Sequence, residues 1–326
     1  MIVLIVLLAT AVVFDFLNGF HDSSNIVATL ISSRALSPRS ALALTAVAEF
    51  AGPFLFGVAV ATTIGHEVVD PTAITSAVIL AALSGAIVWN LITWYLGWPS
   101  STSHALIGGL IGAVGLANGL STIRLAGLEK VLVALFLSPL LGLLCGYLVL
   151  KALYFLTRGA SPRVNSLFRR GQLLTSLALA LSHGTNDAQK TMGMMAMALV
   201  TTGHAVQFHV PRWIIALSAG AIALGTALGG WRLIRTLGSR FYKIRPVHAF
   251  ASQFTSAGVI LGAALLGGPV STTQVVSSAI VGVGAAERVS KVRWRVAQEI
   301  AMAWLLTIPL SALLAAGLYL FVDLVL

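Results

Sequence analysis

Two short stretches decide the fold: residues 18–25 read NGFHDSSN, and residues 184–190 read GTNDAQK. Each places an aspartate, Asp22 or Asp187, beside glycine and amide or hydroxyl residues within sequence that is otherwise strongly apolar. A carboxylate at the centre of a membrane-spanning helix costs about 2.5 to 3.5 kcal/mol on the insertion scale, so such a group marks a functional site by default. Two related copies therefore predict a paired site.

The composition is that of an integral membrane protein. Of 326 residues, 58% are hydrophobic and 9% charged, with a mean hydropathy of +0.95, and a soluble surface needs far more charge. Apolar runs of about 20 residues predict helical spans, because barrel strands are shorter and alternate. The net charge of +10 lies in a few short loops, a positive-inside pattern that argues against nucleic-acid binding. Neither an HExxH motif nor a close His/Cys pair is present, so we expect no enzyme and no resident metal.

The apolar segments predict the topology. They lie at about 1–20, 41–63, 73–97, 102–118, 129–153, 171–200, 211–230, 247–267, 272–286 and 296–322. Basic loops belong in the cytoplasm by the positive-inside rule, here residues 34–39, 151–170, 232–245 and 288–295. Threading the spans then puts the acidic stretch GHEVVDPT, residues 65–72, and both termini outside. We expect a multi-pass protein of the cell inner membrane.

The two halves of the chain repeat each other. The aspartate clusters are shifted by 187 − 22 = 165, and the motifs PSSTSH and PVSTTQ by 269 − 99 = 170. Glu129 and Pro139 recur with the same shift as Glu299 and Pro309. Five crossings in each half make the second half inverted, with residue 99 near the cytoplasmic face and residue 269 near the outer face. We therefore predict inverted repeats 1–157 and 171–326, joined by a basic cytoplasmic linker 158–170.

This pattern is typical of one fold class, an all-α polytopic inverted-repeat secondary transporter. We expect about ten to twelve transmembrane segments, including broken helices or hairpins, with the substrate site at the repeat interface. PSSTSH and PVSTTQ each begin a short helix with hydroxyl residues in its first turn, and a helix start binds oxyanions. The aspartate clusters instead offer hard oxygen ligands, which suit a proton or a small cation.

Four stretches also resemble a known family: FDFLNGFHDSSNIVATLISSRALSPR, WPSSTSHALIGG, LALSHGTNDAQKTMGMMA and GGPVSTTQVV. They are similar to the signatures of the inorganic phosphate transporter (PiT) family, in its bacterial low-affinity permease branch, over nearly the whole chain. The resemblance implies uptake of orthophosphate coupled to a cation gradient, in a fold of scaffold and transport parts that is often a homodimer. The implied phosphate ligands are Ser101, Thr102, Ser103, Ser271, Thr272, Thr273, Asn25 and Asn186. The implied cation-binding or proton-coupling residues are Asp22, Asp187 and Glu49. The predicted set also contains Ser23 and Gln189, which offer oxygen ligands beside the aspartates, and Lys190, which departs from the family pattern.

Glu49 and Lys190 stand apart from the paired motifs. The repeat equivalent of Glu49 falls near Ile214, which is apolar, so this acid has no second copy. Lys190 either occupies a cation site with its own ammonium, titrates as protons pass, or snorkels to the cytoplasmic edge. Because NDAQK resembles the branch regarded as proton-driven and able to carry metal–phosphate complexes, we favour protons, with sodium as the alternative and no other cofactor.

The same residues also bear on two other functions, a channel and a sulfate carrier. A channel needs a continuous polar path, whereas the polarity here is clustered near the midplane. A sulfate carrier of the same family is the nearest alternative. Phosphate is favoured, because Asp22 and Asp187 can accept a hydrogen bond from a P–OH group that sulfate lacks near neutral pH. Coupling is also needed, since moving a divalent anion inward against about 100 mV costs about 2 × 2.3 kcal/mol.

Overall fold

The computed structural model describes residues 1–98, 100–161, 163–229 and 244–324. Within these ranges the regular secondary structure is helical, apart from one isolated bridge. Residue 99 and most of the predicted basic loop 232–245 lie outside the described residues. The described helices are α1 (Ile2–Ser32), α2 (Pro38–Phe56), α3 (Ala59–Thr62), α4 (Ser76–Leu96), α5 (Thr102–Asn118), α6 (Leu125–Leu156), α7 (Val164–Thr201), α8 (Arg212–Leu228), α9 (Pro246–Leu265), α10 (Thr272–Glu287) and α11 (Trp294–Val322). The all-α prediction is confirmed.

Several helices are suited to cross a membrane. Four are long and apolar enough: α1, α4, α6 and residues 297–322 of α11. The pair Pro38–Phe56 and Ala59–Glu67, bent by 73°, passes the same test when its two helices are taken together, as a broken span or a re-entrant loop. The most apolar windows of α6 and α11 are only 28% and 17% buried, which is expected of helices that face lipid. The helices that pass this test are fewer than the predicted ten to twelve segments. Helix α7 does not pass because it carries the polar cluster, and α8 has only 17 residues.

Helices α4 and α5 form a hairpin that begins and ends at one end of the molecule. There the Asn118 Nδ2 donates to the Ala73 carbonyl at 2.8 Å, just before α4 begins. The Asp70 amide donates to the Thr122 carbonyl at 3.0 Å, just after α5 ends. The pair therefore returns the chain to the side from which it entered.

Helices α9 and α10 form the corresponding hairpin at the other end of the molecule. The Arg245 guanidinium, before α9, donates to the Glu287 carboxylate at the end of α10. It also donates to the Tyr154 hydroxyl at 2.9 Å, near the end of α6. Because α6 runs between the two ends, the hairpins enter the molecule from opposite sides.

The hairpin tips meet. The Ser103 hydroxyl of the first tip donates to the Val270 carbonyl of the second at 3.0 Å. The prediction for residue 99 lies outside the described residues, but Ser103 and Val270 belong to the same two motifs, and two residues in contact cannot lie near opposite membrane faces. Hydropathy identifies apolar runs but does not tell whether a run crosses the membrane or turns back.

The two halves interlock. The α4–α5 hairpin packs against α11 and the α9–α10 hairpin against α6, while α1 packs on α8 and α7 on α2. Helix starts recur with the offset seen in the sequence, 246 − 76 = 170 and 272 − 102 = 170. Residues 164–170 of the predicted linker belong to α7, which begins at Val164.

Candidate functional site

The two aspartate clusters lie inside unbroken helices. Helix α1 has 31 residues and α7 has 38, and each continues through its cluster, so α1 extends beyond the predicted span 1–20. The glycines serve close packing instead of breaking the helix. A Cβ on Gly19 would lie 2.1 Å from the Ile222 carbonyl oxygen, and one on Gly184 would lie 2.2 Å from that of Glu49.

The chain does break at the two hairpin tips, where the hydroxyl motifs begin helices as predicted. Ser101 and Ser271 are the N-caps, and their side chains accept from the amides of His104 at 3.1 Å and Gln274 at 3.3 Å. Pro269 lies two residues before its N-cap and not at the first helical position. The hydroxyl residues of both first turns are buried at the centre of the molecule.

Threonines from both hairpin tips converge on Asp22. The Thr273 hydroxyl lies 3.0 Å from Asp22 Oδ1, and the Thr102 hydroxyl lies 3.3 Å from Oδ2. The Thr272 hydroxyl links the two aspartates, at 3.4 Å from Asp22 Oδ2 and 3.0 Å from Asp187 Oδ2. One cluster thus joins α1, α7 and both helix starts.

The two asparagines support the second tip. Asn25 Nδ2 donates to the Thr273 hydroxyl at 2.9 Å. Asn186 holds the loop before α10, donating to the Gly268 carbonyl at 3.1 Å and accepting from the Val270 amide at 3.2 Å. Both side chains are at most 1% exposed.

Lys190 places its ammonium inside the site. It is 2% exposed, and Nζ donates to the Asp187 carboxylate, to the Ser103 hydroxyl at 2.5 Å and to the Val270 carbonyl at 2.8 Å. The alternative that Lys190 snorkels to the membrane edge is wrong. Its three oxygen partners come from α7 and from both hairpin tips, and such a set of oxygens also suits a small cation.

His183 connects Glu49 to the aspartates. Its Nδ1 lies 2.8 Å from Glu49 Oε1, and its Nε2 lies 3.0 Å from Asp187 Oδ2 and 3.9 Å from Asp22 Oδ2. His183 is not among the predicted site residues, although it precedes Asp187 by four residues and so shares its helix face. His21 Nδ1 is also 3.0 Å from Asp22 Oδ1.

Two predicted cation ligands are bonded elsewhere. Gln189 Oε1 accepts from the Val60 amide at 2.8 Å, and Nε2 donates to the Gly57 carbonyl at 2.6 Å, at the bend between α2 and α3. Ser23 donates to the Phe20 carbonyl in its own helix at 2.9 Å. Residues two positions apart do not face each other on a helix, so Gln189 points away from Asp187.

Glu49 has a different repeat equivalent from the one predicted. Gly184 packs on Glu49 as Gly19 packs on Ile222, so the counterpart of Glu49 is Ile222 and not Ile214. Ile222 is also apolar. The Glu49–His183 pair therefore lies on one side of the pseudosymmetric site only.

The charge of the cluster depends on where protons are bound. Asp22, Asp187 and Glu49 with the Lys190 ammonium sum to −3 + 1 = −2 when all are ionised and His183 is neutral. Asp22, His183 and Asp187 also offer three ligand atoms within 4.8 Å of one another, a set that could hold a metal ion. The expected absence of a metal site stays a prediction.

One further buried acid escaped the sequence analysis. Asp15 on α1 is fully buried, and the Ser218 hydroxyl of α8 lies 2.5 Å from its Oδ2. It lies seven residues before Asp22, on the same helix face. An aspartate within an apolar run was the available signal.

Comparison with known proteins identifies the family. Residues 18–315 match the model of the phosphate transporter family. A Bacillus subtilis (strain 168) protein named probable low-affinity inorganic phosphate transporter is 43% identical over 100% of this chain and 98% of its own length. A Rhizobium meliloti (strain 1021) protein of the same name is 45% identical over 99% of this chain and 97% of its own.

A solved structure has the same fold. The protein described as the sodium-dependent phosphate transporter superposes with a TM-score of 0.92 at 25% identity, covering 100% of both chains. The family and these relatives are transporters, which confirms that the chain is not an enzyme. The chain belongs to the phosphate transporter family.

Proposed function

We propose that this protein is a proton-coupled symporter that moves inorganic phosphate across the cell inner membrane by alternating access. Residues 1–157 and 171–326 would be its two inverted repeats, and the common offset of 170 residues between their helix starts supports this division. The observation that carries the proposal is the position of the Lys190 ammonium, held by Asp187 between the two hairpin tips.

Phosphate would bind between the hairpin tips. The two helix starts bring the hydroxyls of their first turns to the same two aspartates, and helix starts favour oxyanions. At present the hydroxyls of Thr102, Thr272 and Thr273 are engaged with Asp22 or Asp187. Protonation of an aspartate would weaken its hold on these hydroxyls, which would then be free to donate to phosphate.

Electrostatics supports a proton requirement. While the three acids are ionised and His183 is neutral, a divalent anion entering beside the cluster is repelled, and one unit pair about 4 Å apart costs about 4 kcal/mol at an effective dielectric constant of 20. Protons that bind first at Asp22, Asp187 or the Glu49–His183 pair would remove this repulsion. Proton binding and phosphate binding would thus be linked, as symport requires.

Sodium is the second candidate coupling ion. The structural neighbour is named as sodium-dependent, and an oxygen-rich site with carboxylates suits sodium as well as protons. Lys190 favours protons here, because its ammonium fills a set of three oxygens that sodium would otherwise use. A sulfate carrier is disfavoured, since Asp22 and Asp187 can accept from a P–OH group.

The decisive experiment is uptake of labelled phosphate into proteoliposomes. An inward proton gradient without sodium and an inward sodium gradient at equal pH are imposed separately, and excess unlabelled sulfate tests selectivity. We expect accumulation with the proton gradient and no competition by sulfate. Uptake that follows sodium and ignores the proton gradient would refute proton coupling, and competition by sulfate would refute phosphate selectivity.

The remaining parts of the proposal concern arrangement and cargo. Both termini would lie outside, as the basic loops indicate, and the resemblance to the family implies a homodimer. Phosphate would enter alone or as a metal complex, and the ligand set of Asp22, His183 and Asp187 supports the second form. Uptake of a labelled divalent metal that requires phosphate would distinguish the two.

A further inference from the structure

Asp15 is the buried acid that the proposed phosphate site does not use. It lies on α1 about 10 Å along the helix axis from Asp22, at 1.5 Å per residue. It is fully buried, and Oδ1 has no hydrogen-bond partner. Among the described residues, no lysine, arginine or histidine lies within ion-pair distance of Asp15. An ionised carboxylate in such surroundings has neither a counterion nor enough donors.

The hydrogen bonds around Ser218 fit a proton on Asp15. The Ser218 hydroxyl lies 2.5 Å from Asp15 Oδ2 and 3.0 Å from the Ala188 carbonyl. A hydroxyl has one hydrogen to donate, whereas the carbonyl can only accept. Both contacts are hydrogen bonds when Ser218 donates to Ala188 and a protonated Asp15 donates to Ser218. An ionised Asp15 would compete with Ala188 for the same hydrogen.

The charged neighbours connect Asp15 to the phosphate site. From α7, the groups that act on it electrostatically are Asp187 and Lys190, and the buried Thr191 hydroxyl lies beside it. The sequence of α8 has no ionisable side chain apart from Arg212 at its first residue, and that of α4 has none but Tyr95 near its last turn. A proton on Asp15 is therefore sensed by the Asp187–Lys190 pair without contact with phosphate.

We propose that Asp15, with Ser218 as its partner, is a second proton-binding site of the transport cycle, separate from the phosphate site. It takes up a proton in one orientation of the carrier and releases it in the other, so that one proton of the coupled stoichiometry travels on Asp15. The inference rests on the proposed proton coupling. Sodium binding at Asp15 is the outcome that would contradict the choice of ligand.

The test measures how many protons accompany each phosphate. Wild type, Asp15→Asn and the matched control Asp70→Asn, an acid in an exposed loop, are reconstituted with the membrane potential clamped at zero. Steady-state phosphate accumulation is recorded against the imposed pH difference. Each coupled proton multiplies accumulation about tenfold per pH unit, because a tenfold ratio corresponds to about 1.4 kcal/mol. We expect Asp15→Asn to accumulate about tenfold less per pH unit than wild type, and Asp70→Asn to match wild type.

A purely structural role is excluded by this readout, because the slope of accumulation against the pH difference does not depend on the amount of active protein. Phosphate counterflow without a gradient checks that Asp15→Asn still carries phosphate. If it does not, Ser218→Ala decides the question. That variant keeps the acid but removes Ser218, whose hydrogen bond to the ionised carboxylate is stronger than the one it accepts from the protonated acid, so the pH midpoint of uptake should rise by about one unit.

The outcomes separate this inference from the proposed function. If phosphate accumulation in Asp15→Asn rises with the pH difference as steeply as in wild type, this inference fails and the proposed function stands. The same holds if Asp15→Asn is inactive and the pH midpoint of uptake is unchanged in Ser218→Ala. Sodium dependence of uptake that disappears in Asp15→Asn assigns the site to sodium and also overturns it. If wild type follows sodium and ignores the pH difference, the proposed proton coupling fails, and this inference fails with it.

Discussion

Replacing Lys190 by asparagine should convert the resident ammonium site into a sodium site. The ammonium now holds Asp187, the Ser103 hydroxyl and the Val270 carbonyl together. Asparagine removes the charge and is too short to reach these three partners, but it brings an amide oxygen. The vacated oxygens then form the kind of set that binds a small hard cation.

The magnitude follows from the burial of the pair. Lys190 and Asp187 are almost completely buried, and removing one partner of a buried ion pair costs about 3 to 5 kcal/mol because the other charge is left uncompensated. Sodium should return part of this loss: with a Kd of about 1 mM, about 100 mM sodium stabilises the folded state by about 2.7 kcal/mol. The variant should therefore be markedly less stable than wild type in choline and recover in sodium.

Thermal unfolding of the purified protein in detergent, in choline and then in sodium, measures this effect. Lys190→Met is the matched control, since it also removes the ammonium but offers no oxygen ligand, and it should recover less. In proteoliposomes, Lys190→Asn should shift uptake from the proton gradient towards the sodium gradient. Wild-type stability in choline together with unchanged ion dependence would refute the role given to Lys190.

Three other predictions concern residues around the same site. Asp22→Asn and Asp187→Asn should each abolish coupled phosphate uptake while the protein still elutes as a folded species in size-exclusion chromatography, and near-normal uptake in either would contradict the scheme. Glu49→Gln should reduce proton-driven uptake by about tenfold, which corresponds to about 1.4 kcal/mol. Phosphate should still raise the melting temperature of this variant. An unaltered uptake rate would show that Glu49 does not take part in coupling. Gly184→Ala should destabilise the protein by about 1 to 3 kcal/mol through overpacking against the Glu49 backbone. Gly258→Ala is the control and should leave the stability unchanged, because its added methyl group would meet no atom within 4 Å. Equal melting temperatures of the two variants would contradict the packing account.

The sequence predicted the parts of the site that have local signatures. Asp22 and Asp187 stand out because a carboxylate is costly in an apolar helix, and Ser101 and Ser271 are N-caps because a hydroxyl before a helix satisfies its free amides. His183 was not among the predicted site residues, because a histidine in a helix has no signature of its own, although its position four residues before Asp187 places both on one helix face.

Geometry accounts for the parts that the sequence did not predict. Gln189 follows Asp187 by two residues and faces away from it, whereas Lys190 follows by three and shares its face. The meeting of Ser103 with Val270 depends on two hairpins that enter from opposite ends, and hydropathy does not record the direction of return. Asp15 is an aspartate within an apolar run, but its pairing with Ser218 has no local signature because the two residues are 203 positions apart in the chain.

The pairing of Glu49 with His183 on one side, opposite Ile222 on the other, has a consequence for the direction of transport. A carrier with two identical halves would have outward-open and inward-open forms of equal energy, and it would run equally fast both ways under mirrored gradients. An acid–imidazole pair that exists once gives the two forms different proton affinities. We therefore expect this carrier to rectify, with a resting orientation set by pH and with unequal influx and efflux rates at gradients of equal size.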